Sequence, residues 1–504
     1  MDARPNKTFI YRPAIRLWCR REIMAKLIRM RGCVLFAVFL CGPVAQAQET
    51  DPPKNDPREQ PVAPYAAPLP AGRTSVLALN SPLGQSEAVQ VAGTDRPLSG
   101  VQEPTLGPVV GARNFLLPSF SATSQMATSS SASGFAKPAD FNYVLGTLDL
   151  NHVTNRSELL LHYAGGGMFS SYLNSAIQDL EFSYNYKWQR WSLLLGDEVS
   201  FLSESPFGFG GVGSLEFLGG NSPFGPGGFL NGILGPNQTI PTIMVPRLSN
   251  TLVSQIEYNV SPRSSWTASG SYGTLNFLGV GYINSADALF QTGYNYSLNP
   301  ESTIAVIYRL GDFRFTKFPQ TIEDHVVKFG YARYLTGRLS IQVAAGPSVV
   351  MLRGPLTGST NNISWALDGA LNYKWDRTTL MLSYDHLVTG GSGVLVGAQT
   401  GQVEAAVERK LSARWRASAS LGYATNTSLI PTSISSNKTH YNSWYAGVRF
   451  NHELRPGTNL FVGYDARLQV LNSATCKTPN CGGNFVAHEI SAGFNFSLRP
   501  ILFR

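Results

Sequence analysis

The sequence predicts an all-β fold: a transmembrane antiparallel up-and-down β-barrel of about 18 strands, with 16 the next choice. Three observations predict it. A two-residue hydrophobic period runs from about residue 112 to residue 504. The connections between its segments alternate between short and long. Charged residues make up only 14% of the 504, against 11% aromatics and a mean hydropathy of −0.06. A soluble chain carries about a quarter charged residues. A barrel that faces lipid outside and water inside needs fewer.

The period comes first. A strand turns successive side chains to opposite faces. Ile490, Ala492, Phe494, Phe496 and Leu498 share one face, and Glu489, Ser491, Gly493, Asn495 and Ser497 the other. Leu180, Phe182, Tyr184, Tyr186 and Trp188 oppose Glu181, Ser183, Asn185 and Lys187 in the same way. The pattern recurs at Phe290–Tyr296, Trp365–Tyr373 and Leu460–Leu468. From Tyr143 onward about 17 such segments follow, and the stretch around Arg113–Ser121 supplies an even eighteenth.

The connections come next. Short ones fall at Thr154–Arg156, Gln189–Arg190, Ser261–Ser264, Asn299–Ser302, Thr336–Arg338, Asp376–Thr378, Ser412–Arg414 and Arg455–Thr458. Long ones fall at Gly165–Ala176, Ser203–Leu248, Leu275–Asp287, Asp312–Asp324, Gly354–Asn361, Val388–Ala398, Thr425–Thr439 and Asn472–Asn484. Short periplasmic turns and long extracellular loops are the outer-membrane arrangement. Trp188, Trp191, Trp266, Trp365, Trp375, Trp415 and Trp444 lie near strand ends, as an interfacial girdle requires.

The barrel has two predecessors in the chain. Residues 1–47 read as a signal peptide: Lys26, Arg29 and Arg31 precede an apolar run, and Ala45-Gln46-Ala47 offers small residues for cleavage. Met24 and Met30 are alternative starts. Residues 48–111 are rich in Pro, lack any apolar period, and read as a disordered periplasmic linker that cannot bury a core. The formal charge of +8 arises mainly in residues 1–47, which hold nine Lys and Arg against two acids, so it argues for no nucleic-acid partner. Beyond residue 47 only Cys476 and Cys481 remain, an even pair in an exported chain, and they read as a disulfide.

AHEISAGFNFSLRPILFR, at the end of the chain, resembles the C-terminal signal of Gram-negative outer-membrane barrels of porin-like type. WSLLLGDEVSFLSESPFGFGG is similar to a stretch found in large barrels of Acidobacteria-type genomes. The resemblance implies residence in the cell outer membrane among lipid and lipopolysaccharide, and folding by the barrel-insertion machinery. It carries over no functional residue. Porin-like barrels are often trimers, so the class also allows a homo-oligomer.

The polar face carries both signs: Glu181, Lys187, Glu257, Arg309, Asp368, Lys374, Asp385, Arg416, Arg449, Asp465, Arg467 and Glu489. A barrel of 16–18 strands usually encloses water, so these are expected to line a pore for small solutes with weak ion selectivity. Salt bridges filling the lumen are the competing reading, which would make the barrel a non-conducting scaffold, a surface-interaction protein or a partner in polysaccharide export. The Gly-rich stretch Pro206–Pro236 is expected either to fold inward and narrow the bore or to present an apolar surface outside; it lacks the Lys of a phosphate loop. No enzyme is expected, because Asp324-His325 and Asp385-His386 are sequence neighbours whose side chains diverge on a strand. No cofactor or metal is expected: Cys476 and Cys481 have no second ligand pair. A TonB-dependent receptor would need a globular plug that residues 48–111 do not encode.

Overall fold

A computed structural model describes residues 114–129, 138–171, 174–202, 240, 245–316, 318–355, 358–430, 438–471 and 484–503. The expected signal peptide, the linker, Cys476, Cys481 and all of Pro206–Pro236 lie outside them.

The described residues form one antiparallel sheet. Its strands are β1 (Asn114–Ser129), β2 (Ala139–Val153), β3 (Ser157–Ser170), β4 (Ser175–Lys187), β5 (Trp191–Leu202), β6 (Arg247–Ser261), β7 (Ser264–Phe277), β8 (Ser285–Asn299) and β9 (Ser302–Phe315). They continue as β10 (Phe318–Thr336), β11 (Leu339–Gly354), β12 (Gly358–Trp375), β13 (Thr378–Thr389), β14 (Ala398–Lys410), β15 (Trp415–Ser428), β16 (His440–Arg455), β17 (Thr458–Leu471) and β18 (Phe485–Ser497). Each pairs with its sequence neighbours, and β1 pairs with β18, Ser119 opposite Ser497 and Ala127 opposite Glu489. The sheet therefore closes on itself as an 18-strand barrel. A three-residue β19 (Ile501–Phe503) continues the seam along β1 after a break at Pro500, which has no N–H to donate. Closure is obligatory for a sheet in lipid, where an open edge has no water to satisfy its backbone.

The two faces follow from the alternation. Along the first half of β2 every second side chain is buried, from Ala139 through Phe141, Tyr143 and Leu145 to Thr147, while those between are exposed. Outward residues are apolar around the wall: Phe120, Leu180, Leu252, Phe290, Val306, Phe329, Leu382, Leu421 and Val462 are all exposed. Aromatics gather at both margins. Tyr186–Trp188 and Trp191–Tyr258, each with ring centroids 4.4 Å apart, sit by the short turns. Toward the opposite end Trp365 stacks on His386 and Tyr423 lies tilted against Trp444. An outward apolar wall between two aromatic margins is a transmembrane surface.

The short turns stand where the alternation placed them, but several long connections are shorter than expected. Gly165–Ala176 contracts to 171–174, Asp312–Asp324 to 316–317, and Gly354–Asn361 to 355–357. The strands run on past the apolar belt, because ladder hydrogen bonds need no greasy side chain. Out there the outward positions pair with one another: Arg314 donates to Asp312 (2.7 Å) and Arg353 to Glu323 (3.0 Å). Polar composition reads as loop in the sequence and is ladder in the structure.

An arginine on the lipid side should cost what the bilayer charges for it. Val462→Arg, at an exposed outward site on β17, is expected to destabilise the vesicle-inserted barrel by about 2–4 kcal/mol. Ser418→Arg, on the inner face of β15, should cost far less. Denaturant titration of the two variants in phospholipid vesicles measures the difference.

Candidate functional site

The interior of the barrel is the candidate site, and the register decides what lines it. Directly opposed residues share a face. Glu489 opposes Asp465, Asp465 opposes Gly447, and Arg467 opposes Tyr445, so these face inward together. Arg449 opposes Ser418, and Arg416 opposes Lys410. By the same parity Glu181, Glu257, Arg309, Asp368, Lys374 and Asp385 point into the barrel, and Lys187 joins them at the turn end of β4. Every residue of the polar face proposed from the sequence stands on the inner wall.

Several of them are held by partners that the sequence did not single out. Arg309 donates to Asp324 (2.8 Å), which also accepts from Ser348 (2.6 Å). Lys328 is ion-paired with Asp368. Gln402 donates to Asp385 (3.2 Å). Arg467 donates to Glu489 (2.6 Å), and Gln125 bonds the same carboxylate across the β1–β18 seam. The Arg449 guanidinium lies 4.7 Å from the centre of the Phe461 ring. Inward-facing Asp324, Lys328, Glu404, Glu408 and Lys410 were missed, though their parity relative to the outward residues of β10 and β14 would have found them.

The charge is unevenly spread. From β9 to β18 the inward basic and acidic residues are interleaved. The inward positions of β6 to β8 are mainly neutral, including Thr251, Gln255, Thr267, Ser269, Gln291 and Asn295. On β2 to β5 the charged inward residues are mainly acidic (Asp149, Glu158, Asp179, Glu181 and Glu198, with His162 bonded to Asp149 and Lys187 at the turn end), and beside them lies a buried apolar cluster that includes Phe141, Tyr143, Leu145 and Met168.

The Asp-His neighbours diverge as a strand demands. Asp324 faces inward to Arg309, whereas His325 faces outward and bonds the Tyr308 hydroxyl (2.9 Å). Asp385 faces inward, and His386 stacks outside on Trp365 at 3.8 Å. Neither can serve as an acid/base couple. Asp324 lies well inside β10 rather than by a loop.

Toward the end opposite the short turns the inner wall turns apolar. Phe313 and Phe315 of β9, Ile322 of β10, and Val350 and Leu352 of β11 form part of one buried cluster. Into it folds the connection 390–397 between β13 and β14. Gly393 accepts a hydrogen bond from the Ile283 N–H (2.9 Å), and Gly397 accepts one from Leu429 (3.3 Å). The Ser392 hydroxyl accepts from the Ile240 N–H (3.3 Å). A Cβ on Gly393 would lie 2.1 Å from the Phe277 ring, and φ there is +75°. Glycine is required for both reasons. Phe277, Ser285 and Ile322 are inward residues of β7, β8 and β10, so the segment is a strap on the inside of the wall. The sequence left Pro206–Pro236 either to fold inward or to present an apolar surface outside, and that stretch lies outside the described residues; among the described residues the connection 390–397 folds inward.

No protein-family model matches the chain, and no curated protein matches it. Among solved structures it is similar to OccK2 (OpdF) of Pseudomonas aeruginosa in complex with glucuronate, at 9% identity over 76% of this chain and 98% of that one, with a TM-score of 0.41. It is similar to Pseudomonas aeruginosa OprD at 10% identity over 77% and 97%, with a TM-score of 0.40. A BenF-like porin from Pseudomonas fluorescens Pf-5 aligns at 9% identity over 76% and 99%, with a TM-score of 0.40. At such identities and scores the likeness extends to no solute and to no residue role.

Lys328 is 3% exposed at its side chain and its partner Asp368 16%. Removing one partner of a buried pair strands the other charge, at about 3–5 kcal/mol. Lys328→Ala is expected to cost about 3 kcal/mol in denaturant unfolding. Lys328→Ala with Asp368→Ala should recover a large part of it, since contacting residues are not additive.

Proposed function

We propose that the chain is an outer-membrane channel that passes small polar solutes passively through the barrel lumen. The observation that carries the reading is the contrast between the two faces of one closed wall. Outside it is apolar between aromatic margins. Inside, charged and amide side chains project from nearly every strand. A wall of 18 strands encloses a bore wide enough for water, and ionised groups line it at modest cost only where water reaches them. The inward residues Gln402, Glu404 and Arg416 of β14 and β15 remain partly exposed and mark the watered side. Interleaved signs on that side favour weak ion selectivity. The strap 390–397 narrows the bore at the loop end.

One observation favours the second reading, a filled and non-conducting barrel. Inward side chains of β7 to β9 are almost wholly covered, with Ser265, Ser269, Asn295 and Arg309 each at 3% or less.

Single-channel recording of the folded chain in a planar lipid bilayer separates the two. The expected result is uniform steps that scale with salt. Replacing residues 391–396 by a shorter linker should enlarge the steps, and Gly393→Ala, which forces Phe277 aside, should make them noisier. Folded protein, verified by heat-modifiable gel mobility, that stays silent both with and without the strap would overturn the channel.

A further inference from the structure

The inner wall of β4 and β5 brings three carboxylates together in a way no stretch of sequence displays. Asp179 and Glu181 are successive inward residues of β4, and Glu198 of β5 stands directly opposite Glu181. A carboxylate oxygen of each lies within 4.8 Å of the others. Asp179 and Glu181 are buried, and Glu198 is partly so. Three negative groups this close oppose one another's ionisation unless a cation sits among them.

A second feature points to a ligand. Ser183, the next inward residue of β4, is 1% exposed, and its Oγ has no hydrogen-bond partner. The register puts it on the same inner face as the cluster, between Leu160 of β3 and Gly196 of β5. It is adjacent to Glu181 along the strand and diagonal to Glu198, and the residue opposite it is Gly196, which puts no side chain between them. A buried hydroxyl without a partner is a cost the fold would be expected to avoid. As an oxygen ligand beside three carboxylates it has a use.

We infer that Asp179, Glu181, Glu198 and Ser183 form a binding site for a hard divalent cation of calcium size on the lumen wall. Calcium takes six to eight oxygens in flexible geometry, so carboxylates on two strands and a hydroxyl suit it, with water completing the shell from the lumen side. Magnesium demands tighter octahedral placement than a pleated wall supplies. The cation ties β4 to β5 and cancels charge on the acidic side of the lumen. This goes beyond the channel reading and does not depend on conduction.

The test is isothermal titration of the full chain, folded in detergent and stripped of metal, with calcium chloride. One saturable site with a Kd below about 1 mM is expected, in the range of extracellular calcium modules. Glu198→Gln should weaken it at least tenfold and Ser183→Ala a few-fold. Glu301→Gln, on the exposed turn between β8 and β9, should leave it unchanged. Absence of saturable binding, or binding equally strong in Glu198→Gln and Ser183→Ala that both show folded gel mobility, overturns the site. Because Ser183→Ala removes only a hydroxyl, it keeps the test decisive if Glu198→Gln fails to fold. A silent bilayer with a calcium site intact would sink the channel alone, and a conducting barrel without calcium binding would sink the site alone.

Discussion

Everything in this molecule depends on the rule that a backbone in hydrocarbon must satisfy its own hydrogen bonds. A sheet meets the rule only by closing, and closing requires β1 to find β18. Once the wall is closed, the pleat assigns each residue to lipid or lumen, and a shift of one residue would exchange the two sets. The Gln125–Glu489 bond and the Arg467–Glu489 pair therefore do two things. They satisfy charge in the lumen, and they hold the seam in a register that keeps Phe120 and Phe494 outside.

The same wall is built to three different electrostatic designs. Interleaved signs from β9 to β18 neutralise one another through pairs such as Arg309–Asp324 and Lys328–Asp368. The neutral β6–β8 stretch relies on hydroxyls and amides. The charged residues of the β2–β5 stretch are mainly acidic, with Lys187 at its turn end. The strap 390–397 adds a fourth, apolar element at the loop end, held largely by backbone groups and by glycines that admit Phe277 and Ile322 to close contact.

Most of the fold is legible in the sequence because period two is a local signal. The outward run Ile490–Phe496 and the inward Asp465, Arg467 and Glu489 need only parity to be sorted. What parity does not carry is register between strands, and the parts that escaped are of that kind. Glu198 meets Glu181 only because β4 and β5 pair as they do. Lys328 reaches Asp368 from β10 across β11 to β12. Strand ends were misjudged where outward Asp312, Arg314 and Glu323 leave the belt yet stay in the ladder. The strap was recognisable as the long connection Val388–Ala398, rich in Gly, but its inward course depends on Ile283 and Phe277, more than a hundred residues earlier in the chain.

The seam has a consequence for how the barrel comes into being. Gln125 and Glu489, which bond across it, lie 364 positions apart. While the chain is being made and exported, β1 is left with one bare edge until the final strand arrives. A wall without β18 leaves β1 and β17 each with an unpaired edge. Closure is thus the final event of assembly: β1 keeps an unpaired edge until β18 gives it and β17 their second neighbours together.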